Sequence, residues 1–144
     1  CYGAGDTHQI FEWAGVRIAP FICYDLRFPE IFRPAACEGA EVIVVIASWP
    51  AIRSEHWVRL LQARAIENQA YAVGVNRCGA DPNLTFDGRT IAFHPLGDVV
   101  ADAGDGQKVV AIQIDADAVR KWRSEFPALR DARIHSQAGA EVDR

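Results

Sequence analysis

Glu41-Val42-Ile43-Val44-Val45-Ile46-Ala47 is the stretch on which the fold turns. It is a β-branched run without polar and apolar alternation, the pattern of a strand covered on both faces. Ser48-Trp49-Pro50 ends it. Upstream, Pro29 to Glu38 reads as a helix, opened by a proline suited to a first turn and closed by Gly39. Pro34 inside that helix removes one backbone bond and is expected to kink it. Before the helix, Val16 to Ile22 reads as a strand, with Gly15 ahead of it. On the other side, Ser54 is expected to cap a helix running to about Asn68. Glu55 stands four residues before Arg59 in the favourable orientation for a pair, and Trp57, Leu60, Leu61, Ala65 and Ile66 form the apolar stripe.

Tyr71 to Asn76 is a third apolar strand. Thr90 to Phe93 and Val99-Val100 flank a turn at Pro95-Leu96-Gly97-Asp98, and Lys108 to Ile114 reads as the last strand. Asp115 then caps a short helix with Asp117 in its first turn and Arg120, Lys121 and Arg123 in its last, matching the macrodipole. Pro127 stops it; Phe126 to Arg133 has no legible partner in the chain and is expected to meet another subunit. Gln137 to Arg144 read as a frayed polar tail. Early βα units followed by a run of strands indicate a mixed α/β layered sandwich, without repeat or linker.

At 144 residues, half of them hydrophobic and 24% charged, the chain is a single domain of ordinary globular composition. Fifteen basic against 19 acidic residues give a formal charge of −4, and the basic residues are scattered, so nucleic acid is not an expected partner. Val42 to Ala47 is the longest clean apolar run and far too short for a bilayer, so no membrane role is expected. The four cysteines, Cys1, Cys23, Cys37 and Cys78, lie at wide spacings without a C-x-x-C pair, and the four histidines do not cluster with them. Neither a zinc site nor a disulfide framework is suggested; a reduced cytoplasmic protein that uses at most one cysteine chemically is the economical reading.

Cys23 is that cysteine. Phe21-Ile22-Cys23-Tyr24-Asp25-Leu26-Arg27-Phe28-Pro29-Glu30 sets it where an apolar run stops and a polar segment begins. Buried free cysteines are common small hydrophobes. A strand end at a βα junction, however, is where open α/β sheets place ligand sites. A thiol there can attack a carbonyl or nitrile carbon if a base takes its proton and donors stabilise the oxyanion, for which the Tyr24 N–H is the natural candidate.

Ile22 to Glu30 resembles the nucleophile motif of the nitrilase (carbon–nitrogen hydrolase) superfamily. Ala47-Ser48-Trp49-Pro50, Arg53, His56-Trp57, Ala63-Arg64-Ala65-Ile66-Glu67-Asn68-Gln69, Asn76-Arg77 with Gly79 and Asp81, Pro95-Leu96-Gly97 and Phe126-Pro127-Ala128-Leu129 extend the resemblance in order along nearly the whole chain. It is nearest to the omega-amidase-like branch. The resemblance implies an α-β-β-α sandwich, represented here by roughly its C-terminal half, with homodimers as the usual assembly. It implies a Cys, Lys and Glu catalytic set with a second supporting Glu, thioester chemistry on a small-molecule amide, and no metal or organic cofactor. Carried over, Cys23 is the nucleophile and the Tyr24 amide an oxyanion donor. The Lys and both Glu belong to segments ahead of this stretch; the only lysines, Lys108 and Lys121, and the upstream Glu12 do not match. The chain is therefore expected to need the N-terminal portion of its domain as partner and to be inactive and aggregation-prone alone.

Arg27 matches the position that holds a substrate carboxylate in carbamoyl-hydrolysing relatives, although an ion pair with Asp25 or Glu30 is the favoured reading. Trp49 is a candidate apolar wall, weighed against plain packing. Arg53 is a candidate for a distal carboxylate, weighed against a solvated loop arginine. Arg64 and Glu67 read as a scaffolding pair, Asn76 as a hydrogen-bonder to neighbouring loops, His56 as a packed histidine, and Cys37 and Cys78 as inert core thiols. His94 before Pro95, and Phe86-Asp87-Gly88-Arg89-Thr90, depart from the usual pattern. An amidase of the omega-amidase type is the leading function; an N-carbamoyl amino acid hydrolase and a non-catalytic remnant or assembly subunit are the alternatives.

Overall fold

The computed structural model describes Gly5 and residues 7–132. Cys1, Asp6, Arg133 and the tail from Gln137 lie outside the described residues.

The centre of the molecule is a parallel trio. Strands β2 (Val16–Ile22), β3 (Val42–Ala47) and β4 (Tyr71–Asn76) pair in parallel. Helices α1 (Pro29–Cys37) and α2 (Ser54–Asn68) are the crossovers that parallel neighbours require. Strand β1 (Phe11–Trp13) adds antiparallel to β2 on one side. On the other, β7 (Ile91–Phe93) and β8 (Val99–Asp102) complete a six-stranded sheet in the order β1-β2-β3-β4-β7-β8. A separate ribbon pairs β5 (Cys78–Ala80) with β6 (Thr85–Asp87), and α3 (Ala116–Glu125) is followed by a 3-10 turn at Ala128–Asp131.

Strand alternation sends two rows, Ala19–Ile43–Ala72 and Phe21–Val45–Gly74, under α1 and α2. There Phe32, Ala35, Trp57, Leu61 and Ala65 bury against them in the main core. Gly74 has a specific reason to lack a side chain: a Cβ there would meet Leu61 and come within 2.5 Å of Trp57 Cζ2. The opposite rows, Ile18–Val42–Tyr71, Pro20–Val44–Val73 and Ile22–Ile46–Val75, are equally apolar. Among the described residues only the first is well covered, by Val119 of α3 and by Ile114. At the far end Ile22 is 64% exposed, Ile46 51% and Val75 44%.

The helix ends follow local chemistry. Gly39, at φ +98°, turns the chain after α1, with Gly39 N–H donating to Ala36 O (3.0 Å) and Ala40 N–H to Ala35 O (2.9 Å). The helix runs through Pro34 to Cys37. Asp115 caps α3 through Ala118 N–H at 3.0 Å. Ser54 does not cap α2. It is the first helical residue, its Oγ is buried without a partner among the described residues, and a 3-10 turn at Ala51–Arg53 feeds the helix instead.

Two further expectations are corrected, and three short strands were not foreseen. Lys108 to Ile114 forms no strand: it finds no neighbour to pair with among the described residues, and Val109 is fully exposed. β1 and the β5–β6 ribbon had no strand signal, because three-residue strands are too short for a period. The hairpin before β2 turns on Ala14 and Gly15, both at positive φ (50° and 77°), without the usual Asn or Asp. The segment after α3 does have partners within the chain: Gln69 Nε2 donates to Phe126 O at 2.8 Å and Cys37 Sγ faces Leu129 O at 3.8 Å. No helix of the described residues is long and apolar enough to cross a membrane.

Candidate active site

The three parallel strands end at one edge of the sheet, and Cys23, Trp49 and Asn76 all sit there. Such an edge is where α/β sheets bind ligands, because the chain leaves each strand end as a loop free to vary.

Cys23 opens a 3-10 turn, Cys23–Arg27, directly after β2. Its backbone is left-handed, φ +44°, a conformation that costs a residue with a Cβ roughly 1–3 kcal/mol and persists only where the surroundings enforce it. Part of that enforcement is Asp25, whose Oδ2 accepts from Ile22 N–H at 2.8 Å while its carbonyl accepts from Phe28 N–H at 2.9 Å. The sequence offered Asp25 only as a partner for Arg27; an Asp folding back onto a nearby backbone N–H is a common local habit that could have identified it. The thiol is half-buried against the main core. Tyr24 turns its ring outward, edge-on to Phe28 at 5.2 Å, and leaves its backbone N–H in the first turn, where no intrahelical acceptor exists. A thiol and a backbone donor thus stand at adjacent residues of an enforced bend, the arrangement that attack on a carbonyl carbon needs.

Arg27 makes no ion pair with Asp25 or Glu30. Its guanidinium lies 4.7 Å over the Trp49 ring, with Nη1 at 3.5 Å from His56 Nδ1. Trp49 is accordingly a buried platform under Arg27, 3% exposed and not an open wall. Asn76 fixes it reciprocally: Trp49 N–H donates to Asn76 Oδ1 at 2.7 Å and Asn76 Nδ2 donates to Trp49 O at 3.2 Å. Trp49 Nε1 reaches Arg53 O at 2.8 Å, while the Arg53 side chain is exposed with no partner among the described residues. His56 is exposed on the first turn of α2, not packed. Cys37 is exposed and Cys78 half-buried, so neither is a core thiol. The edge therefore joins Cys23, Arg27, Trp49, His56 and Asn76 and leaves Arg53 at its rim. Two clefts, of about 420 and 330 Å³, lie elsewhere, beside the β1–β2 turn and between α2, Leu96 and Phe126.

The model of the carbon-nitrogen hydrolase family matches residues 1–124. The omega-amidase YafV of Escherichia coli K12 is 45% identical over 136 residues, covering 91% of this chain and 51% of that protein. The 2-oxoglutaramate amidase of Bacillus subtilis is 38% identical over 130 residues, covering 90% and 50%. Among solved structures, XC1258 of Xanthomonas campestris, a CN-hydrolase superfamily protein with an arsenic adduct in its active site, superposes with a TM-score of 0.81 at 35% identity, covering 92% of this chain and 52% of its own. The chain thus spans about half the length of the curated relatives it matches. With the mixed sheet, the cysteine at its strand end and these matches over most of its residues, the chain belongs to the carbon–nitrogen hydrolase family.

Proposed function

We propose that the chain is the nucleophile-bearing part of an amidase that hydrolyses a linear carbon–nitrogen bond in a small carboxylate-bearing amide, in the manner of an omega-amidase. The observation that carries this reading is the enforced left-handed bend that presents Cys23 and the Tyr24 N–H together at a strand end. In the reaction the Cys23 thiolate adds to the amide carbon, and the tetrahedral oxyanion accepts a hydrogen bond from Tyr24 N–H. Collapse breaks the carbon–nitrogen bond, the nitrogen leaves as ammonia after taking a proton, and the acyl group remains as a thioester. Water then cleaves the thioester, returning the thiol and releasing the carboxylic acid. The base, the lysine and the supporting acid of the family set come from the rest of the domain, which also covers the exposed Ile22–Ile46–Val75 row. Arg27 receives the substrate carboxylate. A free thiol of this kind suits the reducing cytoplasm.

An N-carbamoyl amino acid hydrolase is the second reading, favoured by Arg27 standing free of its acidic neighbours. Kinetics with the monoamide of a 2-oxo dicarboxylic acid and with a carbamoyl amino acid separate the two. The 144-residue chain alone is expected to show no turnover, and the chain joined to the rest of its domain to release ammonia at a rate that Cys23→Ala abolishes. Cys23-dependent turnover by the isolated chain would refute the need for further residues. Turnover that survives Cys23→Ala in the complete domain would refute the mechanism.

A further inference from the structure

A left-handed residue with a Cβ stays in place only if its surroundings hold it, and Asp25 holds the Cys23 turn from one side only. The other side rests on Arg64. This arginine lies on α2, 38 residues from the turn, and is 4% exposed. Its Nη2 donates to Leu26 O at 2.9 Å, inside the Cys23–Arg27 turn, and its Nη1 donates to Glu67 Oε1 at 2.6 Å. The guanidinium also lies 5.2 Å over the Phe32 ring, and Phe32 packs 4.1 Å from Phe21, two residues before the cysteine. Glu67 is gripped in addition by Arg33 of α1, whose Nη2 stands 3.8 Å from Glu67 Oε2.

A buried guanidinium is a poor way to stabilise a core, since a well-packed apolar side chain of similar volume does as well or better. What it supplies is direction. The planar fork sends one donor to a backbone carbonyl and another to a carboxylate at a fixed angle, which an ammonium cannot reproduce.

We infer that Arg64 is a positioning residue for the nucleophile: through the Leu26 carbonyl it locks the turn that aims the Cys23 thiol and the Tyr24 N–H at one point. It touches no substrate. The catalytic consequence rests on the amidase reading given above, whereas the effect on the thiol itself does not.

The test uses Arg64→Lys and Arg64→Ala in the protein with its complete domain, and Arg120→Gln as a variant that loses an ion pair far from Cys23. Three quantities are read: the rate of Cys23 alkylation by iodoacetamide followed by peptide mass spectrometry, kcat per alkylatable Cys23, and KM. Misaiming of a reacting atom by an ångström costs about 100-fold. Arg64→Lys is therefore expected to lose about 10-fold to 100-fold in kcat per site with KM changed less than about twofold, and to slow Cys23 alkylation. Arg64→Ala is expected to lose more, and Arg120→Gln to lower Tm without moving either rate. Unchanged alkylation in folded Arg64→Lys overturns the inference even if kcat falls, because the arginine would then act elsewhere. Failure of both Arg64 variants to fold also overturns it, making Arg64 a residue of the fold. Should the native protein hydrolyse no amide, the amidase reading falls and the alkylation arm alone decides the role of Arg64.

Discussion

Arg27 is held by an indole and an imidazole, neither of which neutralises it. Over the Trp49 ring its guanidinium keeps the ring's electrostatic attraction while its charge stays available to an incoming anion. A lysine at this position would keep the charge and lose both the flat stacking and the two-pronged grip on a carboxylate. Arg27→Lys is therefore expected to raise KM for a carboxylate-bearing amide by about tenfold or more while leaving a neutral aliphatic amide of similar size nearly unaffected. Steady-state kinetics of the complete enzyme with both substrates read this directly, and equal losses on the two would remove Arg27 from carboxylate recognition. The sequence showed Arg27 beside two acids and favoured an ion pair. It could not show that the turn after Cys23 is 3-10, which bends Asp25 back onto Ile22 N–H and carries Arg27 across to the end of β3. Asp25, two residues before Arg27, does not face it on such a turn, and Glu30 belongs to the following helix α1, so nearness in sequence was misleading here. The Cys23 motif itself was legible, because a strand end followed by polar residues is a local pattern.

At the scale of elements, α3 is tied to the edge of the sheet opposite Cys23. Glu41, 4% exposed just before β3, accepts from Arg17 N–H at 3.0 Å and from Arg120 Nε at 2.6 Å. That hydrogen bond to Glu41 raises the Arg120 pKa above its ordinary value. One turn on, Arg123 donates to the carbonyls of Ala40 (2.6 Å), Asn68 (3.1 Å) and Gln69 (3.0 Å), closing the end of α2; its burial lowers its pKa, with Glu41 opposing the shift. Both arginines remain cations at any ordinary pH, so the tether does not titrate through them. Glu41→Ala strands a part-buried N–H of β2 and is expected to cost about 1 kcal/mol, whereas Glu41→Gln keeps an acceptor and costs less. Urea denaturation checks the ranking, and amide exchange should rise within α3. A Glu41→Gln variant as damaging as Glu41→Ala would mean that charge, not the stranded N–H, dominates. Reading along the chain assigned Arg120, Lys121 and Arg123 to the macrodipole of α3. Two of the three have a different main task, because their partners lie 79 and 83 residues away, beyond the reach of any local pattern.

For the whole molecule, two features of the sheet stand side by side. The outer row Ile22–Ile46–Val75 is apolar yet open, and Lys108 to Ile114 carries a β-branched strand sequence yet pairs with nothing among the described residues. β-Propensity describes fit to a neighbouring pleated surface, so a strand without its neighbour is a promise that one chain segment cannot keep. The sheet was legible because each of its central strands brings its own crossover helix; the Lys108 to Ile114 segment was misread because its β-branched run is not met by a neighbouring strand among the described residues. An open apolar row beside an unpaired extended segment also invites association with other copies. The chain alone is therefore expected to bind a hydrophobic dye and to aggregate at micromolar concentration. Co-expression with the rest of the domain should suppress both. Amide exchange from Val109 to Ile114 should then slow by about 100-fold or more as the segment joins a ladder. Ile46→Asp, at the middle of the open row, should block that assembly while leaving the α1 and α2 face folded, since its side chain points away from them. If assembly proceeds with Ile46→Asp, or if Val109 to Ile114 exchange at the same rate before and after it, the second layer does not lie on this face.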